Sequence, residues 1–286
     1  MCYAVSAATR AVRGATLVKM PDREAIHPLG IPAAARSGVF QPTARRTLRV
    51  FGAEAQLVML PDRAARPNRP GAERPAFGPD RGLAIVEAEA SWRGRGLALT
   101  GNKFPFAESQ TVLWSERPLR EPDEDFLATA LSWTDAVGGT LLVNSIGAAA
   151  SIARAHAHHT DESMPFLAQL PELPIDADWL PKVDGATFAQ KATPFFLLGI
   201  RGTAKARATA AFALQTRRLT SAVNLVAQRG ELWVFPRRAE TPTPHFPYPL
   251  GAAEVWGRWC YIEEQPFLAA TTESLEAALL AAGCAR

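Results

Sequence analysis

Residues 144–160 read NSIGAAASIARAHAHHT, a run of small residues that ends in histidines at 156, 158 and 159. The chain has only five histidines, so this short stretch holds most of them. In an extended strand side chains alternate, which puts His156, His158 and Thr160 on one face and His159 on the other. On the residues alone three readings stay open. The cluster can be a partly buried polar patch. It can bind a metal, but His-x-His supplies two ligands where zinc takes three or four, and only His27 and His245, with the neighbouring Asp161 and Glu162, remain to complete a set. Or it can be nucleophilic. A neutral imidazole attacks phosphorus when its other nitrogen donates to a carbonyl, and a companion histidine can orient it or assist the leaving group. The Gly147–Ser151 loop suits that third chemistry, because small residues let backbone N–H groups come close to phosphate oxygens.

Outward from this stretch the pattern mixes strands and helices. TLLVN (140–144) predicts a strand and the helix before it starts at Pro122 with Asp123, Glu124 and Asp125, ending at Gly138-Gly139. Residues 83–89, 96–100 and 110–114 also read as strands. After a Pro/Asp-rich connector the same sequence of elements returns: a strand at 195–200, an amphipathic helix at 204–218, and a hairpin around Arg229-Gly230. A strand through 255–262 and a helix capped near Thr271 or Thr272 close the chain. At the other end, 47–60 alternates like a strand or hairpin arm bent at Gly52, and 61–82, with five prolines, predicts an exposed loop.

Composition excludes whole classes. With 286 residues, 48% hydrophobic and 21% charged, the chain has ample material for a core and is not disordered. Its net charge of +3 is too weak to argue for a nucleic-acid partner. Residues 136–153, the longest uncharged stretch, carry three glycines and several polar residues, a poor membrane span. The start lacks a signal-peptide pattern, and Cys2, Cys260 and Cys284 form no C-x-x-C pair, so a cytoplasmic protein without structural zinc or disulfides is expected. Cys260 reads as a small buried hydrophobe, and the tryptophans at 114, 133, 179, 233, 256 and 259 as core or interface residues.

Several motifs in this order resemble the histidine-triad superfamily, in particular its branch of galactose-1-phosphate uridylyltransferase, diadenosine tetraphosphate phosphorylase and GDP-L-galactose phosphorylase. They are Asn102-Lys103-Phe104-Pro105-Phe106 before QTVLW, the loop from Asn144 to Ile152, His156-Ala157-His158, Asn224-Leu225 through Pro236-Arg237-Arg238, and the turn from Gly251 to Gly257. The resemblance implies an α+β fold with two tandem histidine-triad-like halves, at 83–170 and 186–286, behind a Pro/Arg-rich N-terminal extension over 1–82. It implies a nucleotidyltransferase or phosphorylase acting on a nucleoside diphosphate-sugar or dinucleoside polyphosphate through a nucleotidyl-histidine, with phosphate or a sugar phosphate as acceptor. In that reading His158 attacks and His156 orients it. Ser151, Thr160 and amides near Gly147 hold phosphate oxygens, and Asn102 and Lys103 face the nucleoside. Asn144 and Arg237 belong to the substrate site, and local charge comes from Lys103, Arg154 and Arg237. No cofactor and no metal are expected, and a homodimer is. The sequence departs from the family at Thr160, where the branch has Gln, and at Ala157, where the uridylyltransferases have Pro. A hydrolase on the same scaffold, with water as acceptor, and a nucleotide-binding protein without turnover are the alternatives.

Overall fold

The computed structural model describes residues 38–66, 80–175, 177–216 and 222–286. In chain order the elements are β1 (Ala44–Val50), β2 (Ala53–Met59), a 3-10 turn (Pro61–Ala65), α1 (Arg81–Glu89), β3 (Trp92–Gly94), β4 (Leu97–Gly101), β5 (Thr111–Ser115), α2 (Glu124–Val137), β6 (Thr140–Asn144) and β7 (His156–Thr160). The second series comprises α3 (Phe166–Gln169), β8 (Glu172–Leu173), β9 (Thr187–Lys191), β10 (Leu198–Arg201), α4 (Ala204–Thr216), β11 (Val223–Gln228) and β12 (Glu231–Pro236). α5 (Ala252–Trp256), β13 (Arg258–Tyr261), α6 (Glu264–Ala269) and α7 (Thr272–Ala282) complete it.

Ten strands form one sheet in the order β3-β4-β5-β7-β6-β11-β12-β10-β9-β8, a near-palindrome about the seam where β6 meets β11. Each side is a meander, a helix and a returning strand pair, so the fold is α+β with two like halves, as expected. The alternation of the strands sets the layers. Leu141, Val143, Leu225, Ala227, Leu232 and Val234 are buried in one cluster with the apolar faces of α2 and α4. Leu142, Val226, Trp233 and Phe235 point the other way, into a second cluster with the β1-β2-β13 sheet and α5–α7. Each such side chain taken fully out of water contributes about 1.5–3 kcal/mol.

Several expected starts and turns are present for the expected reasons. Asp123 accepts from the Phe126 amide at 2.9 Å and caps α2, and Gly138 (φ 81°) ends it. Thr271 accepts from the Ser274 amide and caps α7. Phe51-Gly52 and Arg229-Gly230 all have positive φ, the two-residue hairpin turn that matches strand twist.

Three expectations need correction. Residues 83–89 are helix α1 and not a strand: the Asp80 carboxylate accepts from the Leu83 amide at 2.8 Å, and Leu, Ala and Glu then propagate the helix. The exposed-loop reading of 61–82 fails at both ends, since proline at the first position starts the 3-10 turn and Arg81-Gly82 open α1; residues 67–79 between them lie outside the described residues. The strand through 255–262 is split, because Gly257 (φ 105°) ends α5 in a left-handed conformation that most other residues avoid, and only then does β13 begin. The last two residues of the expected helix at 204–218 also lie outside the described residues.

The N-terminal hairpin is bound into the fold through the C-terminal region. β2 runs parallel to β13, and the Leu60 amide extends the pairing to the Tyr261 carbonyl at 2.7 Å. This fixes where the chain goes next, over the 3-10 turn and toward the face of the first half. Among the described residues no helix is long and apolar enough to cross a membrane.

Candidate active site

On the first half, the sheet face opposite α2 is left open as a cavity of about 360 Å³. β7 forms its floor, in register with Val112 and Trp114 of β5 on one side and with Leu142 of β6 on the other. His156 and His158 both line it, with ring centroids 5.4 Å apart and planes at 85°. His159 points to the other face, packs on Trp133 with centroids 4.4 Å apart, and has Nε2 2.7 Å from the Gly138 carbonyl. Strand alternation thus separates a pair in the cavity from a third histidine spent on the α2–β6 junction.

Each imidazole is anchored by its Nδ1. That of His156 lies 2.7 Å from the Arg154 carbonyl, and the ring stacks on Trp114 at 4.9 Å, whose own N–H donates to Thr100 Oγ1. That of His158 lies 3.2 Å from Gln110 Nε2, while Phe106 meets the ring edge-on at 5.7 Å. Burial lowers both pKa values; for His158 the neighbouring His156, Arg66 and Arg63 push it well below 6.5. Both rings are neutral at neutral pH.

Charge for an anionic ligand comes from an unexpected direction. Arg63, Arg66 and Arg81 line the cavity, brought there by the 3-10 turn after β2 and by the start of α1. Arg63 is held by the Phe104 carbonyl and lies over the Phe106 ring at 5.5 Å. Glu254, of the α5 segment, is a buried carboxyl in the cavity wall. Its two oxygens accept from the Gly251 and Cys260 amides at 2.8 and 3.4 Å, and burial raises its pKa to about 7. Burial also pushes the Cys260 thiol up to about 12, which leaves it inert as a nucleophile. Among the described residues no group of three or more His, Cys, Asp and Glu stands close enough to hold a metal.

Of the residues picked out by sequence, Asn102, Lys103, Asn144, Ser151, His156 and His158 line the cavity. Asn102 accepts from the Phe104 amide at 3.0 Å, and Lys103 is an exposed rim residue paired with Glu89 at 2.7 Å. Asn144 Oδ1 accepts from Asn224 and from the Ala252 amide, both at 2.8 Å, so this side chain stitches the two halves together at the cavity edge. Gly147, Thr160, Arg154 and Arg237 are not part of the lining. Gly147 (φ 81°) makes the turn of the small-residue loop. The Thr160 hydroxyl donates to the Glu108 carbonyl at 2.7 Å. Arg237 is buried and donates to Asn224 and to the carbonyls of Leu250, Ala239 and Glu240. Arg154 donates to the Ser115 and Glu116 carbonyls and pairs with Asp80, the residue that caps α1, so it positions the helix carrying Arg81.

Sequence reading missed Arg63, Arg66, Arg81, Gln110 and Glu254. Gln110 left one usable signal: in QTVLW it shares the strand phase of Val112 and Trp114, a wholly buried amide among inward-facing positions. The arginines left none: Arg63 and Arg66 arrive through the pairing of β2 with β13, far along the chain, and Arg81 through the start of α1, which Arg154 holds by way of Asp80.

The sequence matches no family model and no curated protein. Among solved structures the chain is similar to yeast Ap4A phosphorylase Apa2. The structure in complex with AMP aligns at a TM-score of 0.64 with 16% identity over 88% of this chain and 91% of that one. The structure without ligand in its description gives 0.61, 17%, 87% and 92%, and the complex with Ap4A gives 0.62, 16%, 86% and 91%. At these identities the likeness establishes the fold, which is the one the sequence motifs implied.

Proposed function

We propose that the chain is a nucleotidyltransferase of the phosphorylase type. It takes a nucleoside monophosphate from a dinucleoside polyphosphate or nucleoside diphosphate-sugar onto a histidine of the 156/158 pair, and passes it to a phosphate acceptor. The observation that carries this reading is the pairing of two neutral imidazoles, Nδ1 anchored, in one cavity with Arg63, Arg66 and Arg81. Neutral rings are competent to attack, and guanidinium groups suit the phosphate charge that must be held while they do so. Asn102 and Lys103 would face the nucleoside and Ser151 a phosphate oxygen. The shared fold with an Ap4A phosphorylase is consistent with such a substrate. A two-step transfer keeps the activated phosphoryl group away from water and conserves its transfer potential.

The test is intact-protein mass after brief mixing with diadenosine tetraphosphate, ADP-glucose, UDP-glucose and GDP-mannose, followed by a chase with inorganic phosphate. The expected result is a gain of one nucleoside monophosphate from at least one of them, released as nucleoside diphosphate in the chase. Release as the monophosphate alone would make the protein a hydrolase. No adduct and no turnover from any of them would refute the reading.

A further inference from the structure

We propose that Glu162 and Arg258, which lie outside the cavity, are positioning residues: their ion pair holds the 104–108 loop against His158 and so sets the rate at which the histidine pair takes up nucleotide. For its chemistry this rests on the covalent reading above.

The loop joins β4 to β5 and contains no helix or strand. It brings Phe104 and Phe106 to the cavity, with Phe106 edge-on to the His158 ring, and it ends at Gln110 beside His158 Nδ1. The main-chain groups of alternate residues 104, 106 and 108 are all bonded by side chains. The amides of Phe104, Phe106 and Glu108 donate to Asn102 Oδ1, Gln110 Oε1 and Glu162 Oε1 at 3.0, 2.9 and 2.6 Å. The carbonyls of the same residues accept from Arg63, from Arg258 Nη1 at 3.2 Å and from the Thr160 hydroxyl at 2.7 Å. With no strand ladder to hold it, this segment is as firm as those side chains are.

Asn102 and Gln110 flank the loop and Arg63 lines the cavity, so the hold from outside comes from Thr160, Glu162 and Arg258. Arg258 is 2% exposed, and its fork meets the carboxylate with both arms, Nη1 to Oε1 at 2.9 Å and Nη2 to Oε2 at 2.6 Å. The Trp256 and Phe40 rings, with centroids 5.1 and 5.2 Å from the guanidinium carbon, pack around it. Burial by itself would raise the Glu162 carboxyl, but Arg258 more than offsets this and holds it below the usual carboxylate range. Glu162 stands two residues past β7, and Arg258 opens β13, the strand whose pairing with β2 delivers Arg63 and Arg66. One ion pair therefore joins the histidine strand, the loop beside it and the base of the arginine turn. A displacement of about 1 Å at a reacting group can cost on the order of 100-fold in rate, so this pair can act on the reaction without touching the substrate.

Glu162→Gln keeps the shape and removes the charge. Its rate of adduct formation at saturating diadenosine tetraphosphate or nucleotide sugar, its Kd for AMP and the NMR titration of the His158 ring are compared with those of the wild type. Asp135→Asn is the control, because it breaks a like pair with the buried Arg207 on the opposite face of the sheet. In Glu162→Gln adduct formation should slow by about 10-fold or more while AMP affinity stays within about 3-fold. The His158 titration, kept well below 6.5 by burial and by His156, Arg66 and Arg63 beside it, should move toward 6.5 as water enters. Asp135→Asn should lower Tm and leave all three readouts as in the wild type. Thr160→Val, which removes only a hydroxyl, should shift rate and titration the same way by less, and it carries the test if Glu162→Gln does not fold. Adduct formation at the wild-type rate, an unmoved His158 titration, a loss of AMP affinity in proportion to the rate, or equal losses in Asp135→Asn would each overturn the positioning role. No adduct on the wild type refutes the covalent reading instead, and the titration then still decides whether the pair holds His158.

Discussion

At corresponding positions the two halves of the sheet carry different side chains, and one such pair separates a candidate site from a core. On the first side Leu142 pairs with His158, and on the second Val226 pairs with Trp233; Leu142 and Val226 face each other across the seam. His158 thus corresponds to Trp233. On the flanking strand Val112 stands beside His158, while Gly199 stands beside Trp233 and leaves room for the indole: a Cβ there would sit 2.7 Å from the ring. Trp233 is further covered by the Lys191 ammonium, 4.4 Å from a ring centroid, and belongs to the same buried cluster as Phe195 and Phe235. The second half fills the face that the first leaves hollow. One scaffold therefore carries an open cavity on one side and a closed, well-packed face on the other.

The largest effect should come from emptying the filled half. Trp233→Ala removes a wholly buried indole and is expected to cost about 3–5 kcal/mol in urea unfolding, whereas His158→Ala, at a cavity wall where water can take its place, should cost about 1 kcal/mol or less. Equal costs would break the comparison between plug and cavity. A smaller effect is expected at the seam. The buried Asn224 side chain bonds Asn144, the Ala148 carbonyl and Arg237, so Asn224→Ala should cost about 1–3 kcal/mol and slow adduct formation by loosening the loop before the histidines. Full stability with full labelling rate would show that the halves do not need this link.

The smallest effect is in the pH dependence. Both cavity histidines have lowered pKa values, so the rate of adduct formation should be flat through neutrality and fall only on the acid side of 6.5, as protonation removes the attacking lone pair. The same shifts mean that the unfolded chain binds these protons first, so their contribution to stability is lost as pH falls below 6.5. Glu254 has the opposite sign. It stays protonated in the fold up to about 7, so its contribution is full below 4.5 and declines as pH rises through that window. In Glu254→Gln the decline should disappear from thermal unfolding measured between these values; its persistence would place it elsewhere.

Much of this was legible in the sequence, for local reasons. Asp123, Thr271 and Arg229-Gly230 announce caps and a hairpin by their own chemistry, and alternation separates His159 from His156 and His158. Residues 83–89 are apolar enough to pass for a strand, and the deciding interaction, the Asp80 cap, sits outside the stretch. Polar residues were harder, because a cation or hydroxyl reads the same whether it faces a ligand or a carbonyl. Arg237, Arg154 and Thr160 are taken up by main-chain acceptors, while Arg63 and Arg66 reach the cavity only through pairing of the chain's distant ends.

On the proposed function, only the first half takes up nucleotide. The most direct measurement is the stoichiometry of the trapped adduct, by intact mass at saturating diadenosine tetraphosphate or nucleotide sugar without acceptor. The expected result is one nucleoside monophosphate per chain, carried within β7. Two per chain, or one located on the second half, would contradict it.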